Sequence, residues 1–583
     1  MRNHKKMLLV ALNAKYIHSN LGIHSIQKYC RQQGVDVETG EYTINHRMDG
    51  VLSAIYERKP DILAFSCYIW NIAQIVELAE SFHAILPEVP IWFGGPEVSY
   101  LVREQMEKYP FLSGIMYGEG EATVAELKSV LDEEGDLSGV AGIAFRDSDG
   151  NIVVTEKRAP LPMDAIPFAY EDLTDFENRI IYYETSRGCP FSCSYCLSAA
   201  ECGTRFRSME LVERELSFFL EHKVPQVKFV DRTFNANPAH TMAIWKYIYE
   251  HDNGVTNFHF EIAADLLRDD EIEFISRFRP GLIQLEIGLQ STNPDTIDAI
   301  NRKMNLDRLG EVVERIRRGR NIHQHLDLIA GLPYEDLASF KKSFDDVYHM
   351  KPDQLQLGFL KVLTGSPLYG QREKFGIVAG KRPPYEVLFT QWISYEEIVL
   401  LKEVEEMVEV YYNSGQFQAS LSYVETRFSS AFALYESLAG YYKECELDNR
   451  SHTRMRRYEI MLSWGETLKD VDRAVLKQAL VYDLYARERL KSRPAFAGEL
   501  LHVPRDISRS KSKILHWEHF DYDIKHLLET GDVLTKNCIY EFDYSTRNPL
   551  DHQAQIREVQ LTAGLSDEDM GGITGRRTFV IEE

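Results

Sequence analysis

The apolar residues of the first 120 or so positions fall into short, evenly spaced blocks. Blocks at 7–12, 35–42, 62–67, 91–94 and 114–117 read as strands. Between them, 23–33 and 72–86 place apolar residues three and four apart, the period of a helix with one buried face. Strand and helix in alternation predict a doubly wound parallel sheet, which binds ligands at the carboxyl ends of its strands. Runs at 140–145 and 152–154 flank Asp149-Gly150 and predict a hairpin. Pro160, Pro162 and Pro167 then space out an extended connector.

A second series of strand-like runs follows at 181–186, 226–231, 257–263, 283–289, 324–330 and 354–360, separated by helical patterns such as 212–220 and 306–317. Six such units are too few for a closed eightfold barrel, so a partial (β/α)6 barrel is expected, with its site at the carboxyl ends of the strands. Asn237-Pro238 and Asn293-Pro294 each put a capping residue before a proline and read as helix starts. Beyond residue 400 the pattern is mainly helical. The stretch 395–412 carries an apolar stripe (Ile398, Leu401, Val404, Met407, Val408, Tyr411), and 425–442 and 470–485 are further helices. From 514 onward short strands are expected, 539–544 being the clearest. Trp392, Trp464, Trp517 and the many tyrosines of this third read as core, with a substrate cavity as the alternative.

The length, 583 residues, calls for more than one core. The expected division is 1–160, a linker at 161–174, 175–400 and 401–583. The charge is -23, from 66 basic and 89 acidic side chains, which argues against a nucleic-acid partner while leaving room for a local basic groove. No apolar run approaches the roughly 20 residues that cross a bilayer. The basic start followed by 7–12 mimics a signal peptide, but Asn13 and Lys15 cut the run short, so it reads as the first buried strand of a cytoplasmic protein. Of eight cysteines, Cys30, Cys67, Cys202, Cys445 and Cys538 are scattered and show no disulfide framework.

The other three concentrate the chemistry. Cys189, Cys193 and Cys196 are spaced C-x3-C-x2-C in a loop just after the strand at 181–186. Three thiolates this close can converge on one inorganic core, one ligand short of a closed iron–sulfur or zinc site. A zinc knuckle or three unrelated thiols is the bland alternative. Cys202 reads as a structural thiol, with a fourth ligand or a substrate-facing thiol as the other possibilities.

The motif closely resembles that of the radical S-adenosylmethionine (SAM) enzymes. In that family the three cysteines, here Cys189, Cys193 and Cys196, hold a [4Fe-4S] cluster whose open iron binds SAM. Other landmarks carry the same likeness. Gly288-Leu-Gln290-Ser291 resembles the family's G-x-Q-S, which lies along the ribose and methionine of SAM, and a plain strand-to-helix turn is the alternative. Asp327-Leu-Ile-Ala-Gly331-Leu-Pro333 resembles D-x-I-x-G-L-P, a turn over the adenine, where the backbone of Tyr195 has a similar part. Leu360–Leu368 resembles the closing L-x-x-L-x-G-T-P-L of the MiaB-like and cobalamin-dependent branches, with Ser366 in place of threonine. Glu261, among apolar neighbours on its strand, needs a partner if buried: the SAM ammonium or an internal arginine.

The loops of the first domain resemble those of the cobalamin-binding domain that precedes many radical SAM cores. Gly94-Gly95-Pro96-Glu97 and Gly118-Glu119-Gly120-Glu121 carry that likeness, with Ser66 at the end of the third strand. A flavodoxin-like docking domain without ligand is the alternative. D-x-H-x-x-G is missing, which implies that no histidine binds cobalt from below. The last third resembles the uncharacterised DUF4080 extension. Altogether the resemblance implies an α/β protein: a doubly wound, flavodoxin-like cobalamin-binding domain, a partial radical SAM barrel, and a mainly helical last domain with a few strands. The implied activity is a cobalamin-dependent radical SAM methyltransferase acting on an unactivated carbon of a small-molecule or peptide substrate. The implied cofactors are a [4Fe-4S] cluster, SAM and cobalamin, served by an electron donor such as flavodoxin or ferredoxin. Its rivals are a non-methylating ring-forming or ring-contracting enzyme, a tRNA-modifying enzyme, and a cobalamin-binding regulator with a structural cluster. No general acid or base stands out.

Overall fold

The computed structural model describes residues 4–200, 203–499 and 514–559; Cys202 lies outside them. The chain forms two compact units. One is Met1–Leu337 with Gly358–Tyr395, and the other is Ala338–Leu357 with Glu396–Glu583.

The first unit opens with β1 (Met7–Asn13), β2 (Glu38–Thr43), β3 (Ile62–Ser66), β4 (Ile91–Gly94) and β5 (Gly114–Met116). They lie parallel in the order β2-β1-β3-β4-β5, so the strand order reverses between β1 and β3. The continuous apolar run of β1 has a simple cause: both faces are covered. Leu8, Val10 and Leu12 pack with Ile75, Leu78 and Phe82 on one side. Met7, Leu9 and Ala11 pack with Ile23, Val124 and Leu127 on the other. The expected hairpin forms as β6 (Ile143–Arg146) and β7 (Ile152–Val154). It does more than connect, because β6 adds antiparallel to β5 and extends the sheet to seven strands.

The second sheet contains β8 (Ile181–Tyr183), followed by a short pair, β9 (Ser186–Arg187) and β10 (Arg205–Phe206), outside it. Then come β11 (Gln226–Phe229), β12 (Asn257–Ile262), β13 (Ile283–Gln290), β14 (His323–Ala330) and β15 (Gln354–Phe359), which re-enters this unit at Gly358. The order β15-β14-β13-β12-β11-β8 is open, the partial six-stranded barrel that the pattern predicts. Burial alternates strictly along β12 and β14, and along β13 as far as Leu289. The fully buried face is apolar (Phe258, Phe260, Leu285, Ile287, Leu326, Leu328), and the other face is polar. Both asparagine–proline pairs start helices as expected: Asn237 accepts from Ala239 N and Asn293 from Asp295 N.

The second unit departs from expectation in two places. A single helix over 425–442 does not form. Helix Gln418–Glu425 ends there, and a new one, Ala431–Glu444, begins where the Ser430 hydroxyl caps Ala433 N. The stretch 395–412 is regular only over Tyr395–Met407 and then widens into a π turn, Val408–Asn413. There the Asn413 side chain holds both backbone groups of Leu355. Helix Arg454–Thr467 has no counterpart among the elements read from sequence. The final strands, Leu515–Tyr522, Thr535–Arg547 and Ala554–Glu558, form one antiparallel sheet. Trp464 is core, as expected.

Asp483, fully enclosed on helix Arg473–Arg487, accepts from Ala419 N, Ser420 N and Ser420 Oγ at 2.8, 2.9 and 2.6 Å. It caps a neighbouring helix from outside. Asp483→Ala leaves those donors unpaired and should cost about 2–4 kcal/mol, read as an earlier urea transition. Asp483→Asn, which keeps an acceptor, should lose less.

Candidate functional site

A cavity of about 720 Å³ lies in the first unit at the carboxyl ends of its strands. Ser66, Gly94, Gly95, Pro96, Gly118, Glu119 and Gly120 all line it, together with Asn13 and Ala14 after β1. The opposite side is built by residues flanking the cysteine loop, Arg187, Gly188, Leu197 and Ser198, and by Lys228, Arg232 and Glu261 of the second sheet. Tyr68 and Trp70 stack at 4.3 Å between ring centroids on the same wall.

Gly95 is required by its neighbours. At φ 105° a Cβ there would stand 2.6 Å from the Cys67 carbonyl oxygen. At Gly118 the space a Cβ would fill is open. Backbone therefore forms much of this wall, which suits a large flat ligand. Glu119 contributes differently from its sequence reading, because its carboxylate is taken by Arg187, Arg205 and the Leu161 amide.

Arg187 ties the two sides together. Its guanidinium meets Glu121 at 2.6 Å, Glu184 at 2.8 Å and Glu119 at 3.6 Å. Burial works to raise the Glu121 carboxyl, but the adjacent Arg187 outweighs it and holds the group below its usual range. Next comes Gly188, at φ 94°, where a Cβ would clash with the Gly203 carbonyl oxygen at 2.0 Å. Only glycine makes this turn into the cysteine loop.

The loop is pinned from elsewhere in the chain. Ser194 N donates to Ile300 O, Leu368 N donates to Ser194 O, and the Asn301 side chain holds Ser192. Ser366, which stands where the resembled motif has threonine, caps the following helix by accepting from Tyr369 N. Cys193 is buried, and Cys189 and Cys196 are partly so. Burial pushes the Cys193 thiol up, Arg302 opposes that, and both other cysteines are near enough to add to the rise. Arg302 Nη1 lies 3.8 Å from Cys193 Sγ and 3.2 Å from the Tyr195 hydroxyl. Three neighbouring soft thiolates beside a guanidinium fit an iron–sulfur cluster.

Gln290, Ser291, Gly331 and Pro333 lie at or just past the ends of β13 and β14, outside the cavity lining. Gln290 sits at φ 70°, after a register shift in β13, and its Oε1 is buried without a partner. Ser291 is fully buried and donates to Glu335 at 2.7 Å, so its hydroxyl is already engaged. Gly331, at φ 85°, packs against Val387, and Pro333 is buried beside it. Glu261 makes no hydrogen bond or ion pair among the described residues, so the internal arginine considered as its partner does not supply one. His18 also lines the cavity, its Nδ1 2.6 Å from the Tyr182 hydroxyl.

Sequence reading misses His18, Arg187, Lys228, Arg232 and Arg302. A signal for Lys228 exists: the polar residues of β11 to β14 recur at every second position, the mark of a polar inner face.

Residues 7–128 match the B12 binding domain, 183–347 the Radical SAM superfamily, and 373–514 the protein of unknown function family DUF4080. The chain carries a B12 binding domain followed by a Radical SAM domain. Cobalamin, a [4Fe-4S] cluster and SAM are the cofactors of these domains. The cobalamin-dependent radical SAM methyltransferase TokK of Streptomyces tokunonensis is 28% identical over 336 residues, 53% of this chain and 48% of that protein. An anaerobic magnesium-protoporphyrin IX monomethyl ester cyclase of Synechocystis sp. is 28% identical over 335 residues, 54% of this chain and 63% of its own. The match to TokK thus spans about half that relative's length. Among solved structures, OxsB, a cobalamin-dependent SAM radical enzyme with aqua-cobalamin bound, has a TM-score of 0.60 at 16% identity over 83% of this chain and 80% of its own. That likeness is one of fold. No helix among the described residues is long and apolar enough to cross a membrane.

Two measurements probe the site in the cofactor-free chain. Arg187→Met strands three carboxylates around one position and should cost about 3–5 kcal/mol, seen as a lower denaturation midpoint. Adding Glu121→Gln should recover part of that loss. Glu261 is raised from 4.5 to about 7 by burial and by Glu286 and Asp327, against Lys228 and Arg232. Between those values the folded chain keeps a proton that the unfolded chain has released, so stability falls as pH rises across the window. Glu261→Gln should remove this fall. It should match the parent near pH 4 and exceed it near pH 8 by at most about 3 kcal/mol, less for partial exposure.

Proposed function

We propose that this chain is a cobalamin-dependent radical SAM methyltransferase that places a methyl group on an unactivated carbon of a small-molecule or peptide substrate. One observation carries the reading. Glycine-rich loops of the first sheet and the flanks of the cysteine loop face each other across a single cavity. When bound, the cluster, SAM and cobalamin supply the electron, the 5′-deoxyadenosyl radical and the methyl group.

The chain's own residues hold and shield these groups. Cys189, Cys193 and Cys196 ligate the cluster, and Arg302 offsets negative charge at Cys193. Gln290 offers its free Oε1 to a hydroxyl of SAM. Gly331, Pro333 and the backbone of Tyr195 shape the adenine side, while Ser66, Gly94, Gly95, Pro96, Gly118, Glu119 and Gly120 bound cobalamin chiefly through backbone. Glu261 faces the space left for the ammonium of a ligand. A flavodoxin or ferredoxin is the fitting electron donor. A second reading, without methyl transfer, draws on the cyclase relative, whose identity equals that of TokK.

The test is anaerobic reconstitution followed by reduction with SAM. The visible spectrum should show cobalamin beside a four-iron cluster, and 5′-deoxyadenosine should form. Alanine at Cys189, Cys193 or Cys196 should abolish that product while leaving cobalamin bound. A product heavier by one methylene unit supports methylation, and an unchanged carbon count supports the second reading. Full activity in the cysteine variants would end both.

A further inference from the structure

Along the inner face of the second sheet, most charges are already matched. Lys228 Nζ donates to Glu286 Oε2 at 3.0 Å, and His259 Nε2 lies 2.9 Å from the same oxygen. His325 Nε2 lies 3.0 Å from Asp327 Oδ1. Two charges stand apart. Glu261, on β12, has no hydrogen bond or ion pair among the described residues. The guanidinium of Arg232, just past β11, has no partner among the described residues either, and this exposed side chain lines the same cavity as Glu261. Each is close enough for its field to act on the other, yet they do not pair.

Opposite charges that share a cavity wall without pairing leave room for something between them. A carboxylate partly withdrawn from water, with two other carboxylates nearby, gains from an added cation. A guanidinium gains most from a planar pair of oxygens. One small group meets both needs: an ammonium and a carboxylate on adjacent atoms.

We propose that Glu261 and Arg232 form a subsite for the zwitterionic head of an α-amino acid, Glu261 taking the ammonium and Arg232 the carboxylate. This rests on reading the cavity as the substrate chamber of a radical SAM enzyme. The same head occurs at the methionine end of SAM and on an amino-acid substrate, and the assignment made here is to the substrate.

The experiment uses the reconstituted full-length holoenzyme with its cluster oxidised, so that saturating SAM stays intact. The twenty protein L-amino acids, in pools and then singly, are titrated by calorimetry. At least one should bind saturably with SAM present. Its N-acetyl and carboxamide forms should bind about tenfold or more weakly, the loss of one charge-assisted contact. Glu261→Gln and Arg232→Met should each weaken the free amino acid to a similar extent, at iron and cobalt contents equal to the parent's. Three results would overturn the proposal: no amino acid binds; binding occurs only when SAM is absent, which gives the pair to the methionine end; or both variants bind like the parent. Loss of 5′-deoxyadenosine formation with amino-acid binding intact would instead remove the enzymatic reading and leave the subsite.

Discussion

Arg187 stands one residue before the turn into the cysteine loop and is held by carboxylates that the chain supplies from two different sheets. Glu119 and Glu121 follow β5, and Glu184 follows β8. An arginine with so many acidic neighbours is costly to bury alone and favourable only when all of them are in place. The interaction therefore does more than add stability. It fixes the distance between a loop that bounds the cavity on one side and a loop that bounds it on the other. Gly188 makes the arrangement stiff, since no other residue fits against Gly203.

Much of the architecture is legible in the sequence because both sheets follow simple periods. The unbroken apolar run of β1 and the strict alternation in β12 and β14 report directly how many faces each strand buries. The cysteine loop is legible from spacing alone. The charge pairings are not. Arg187 and Glu121 lie 66 positions apart, and nothing local marks them as partners. Ser291 shows the opposite problem: its motif is visible, but the carboxylate that occupies its hydroxyl, Glu335, lies in a separate stretch. The break before Ala431 has a local mark, Ser429-Ser430, set within an apolar pattern that by itself reads as one helix.

The inner face of the second sheet is unusual in how much charge it carries without excess. Lys228, His259 and Glu286 share one oxygen, and His325 sits on Asp327. Such a lining excludes neither water nor polar ligands, but it sets a high cost on an unmatched ion. Against that background the two charges left over, at Glu261 and Arg232, are conspicuous, and both line the cavity.

The path of the chain between the two units has a practical outcome. After Leu337 it leaves the first unit, contributes Ala338–Leu357 to the second, returns at Gly358 and leaves for good after Tyr395. The loaned segment is well anchored. Phe344 packs against Phe432 and Tyr435, Lys341 pairs with Glu436, and Asp345 receives Phe432 N. The last third is thus no detachable tail. Cutting the gene after residue 395 would leave an orphaned greasy helix dangling from the middle of the first unit, so the two units are best expressed as one piece.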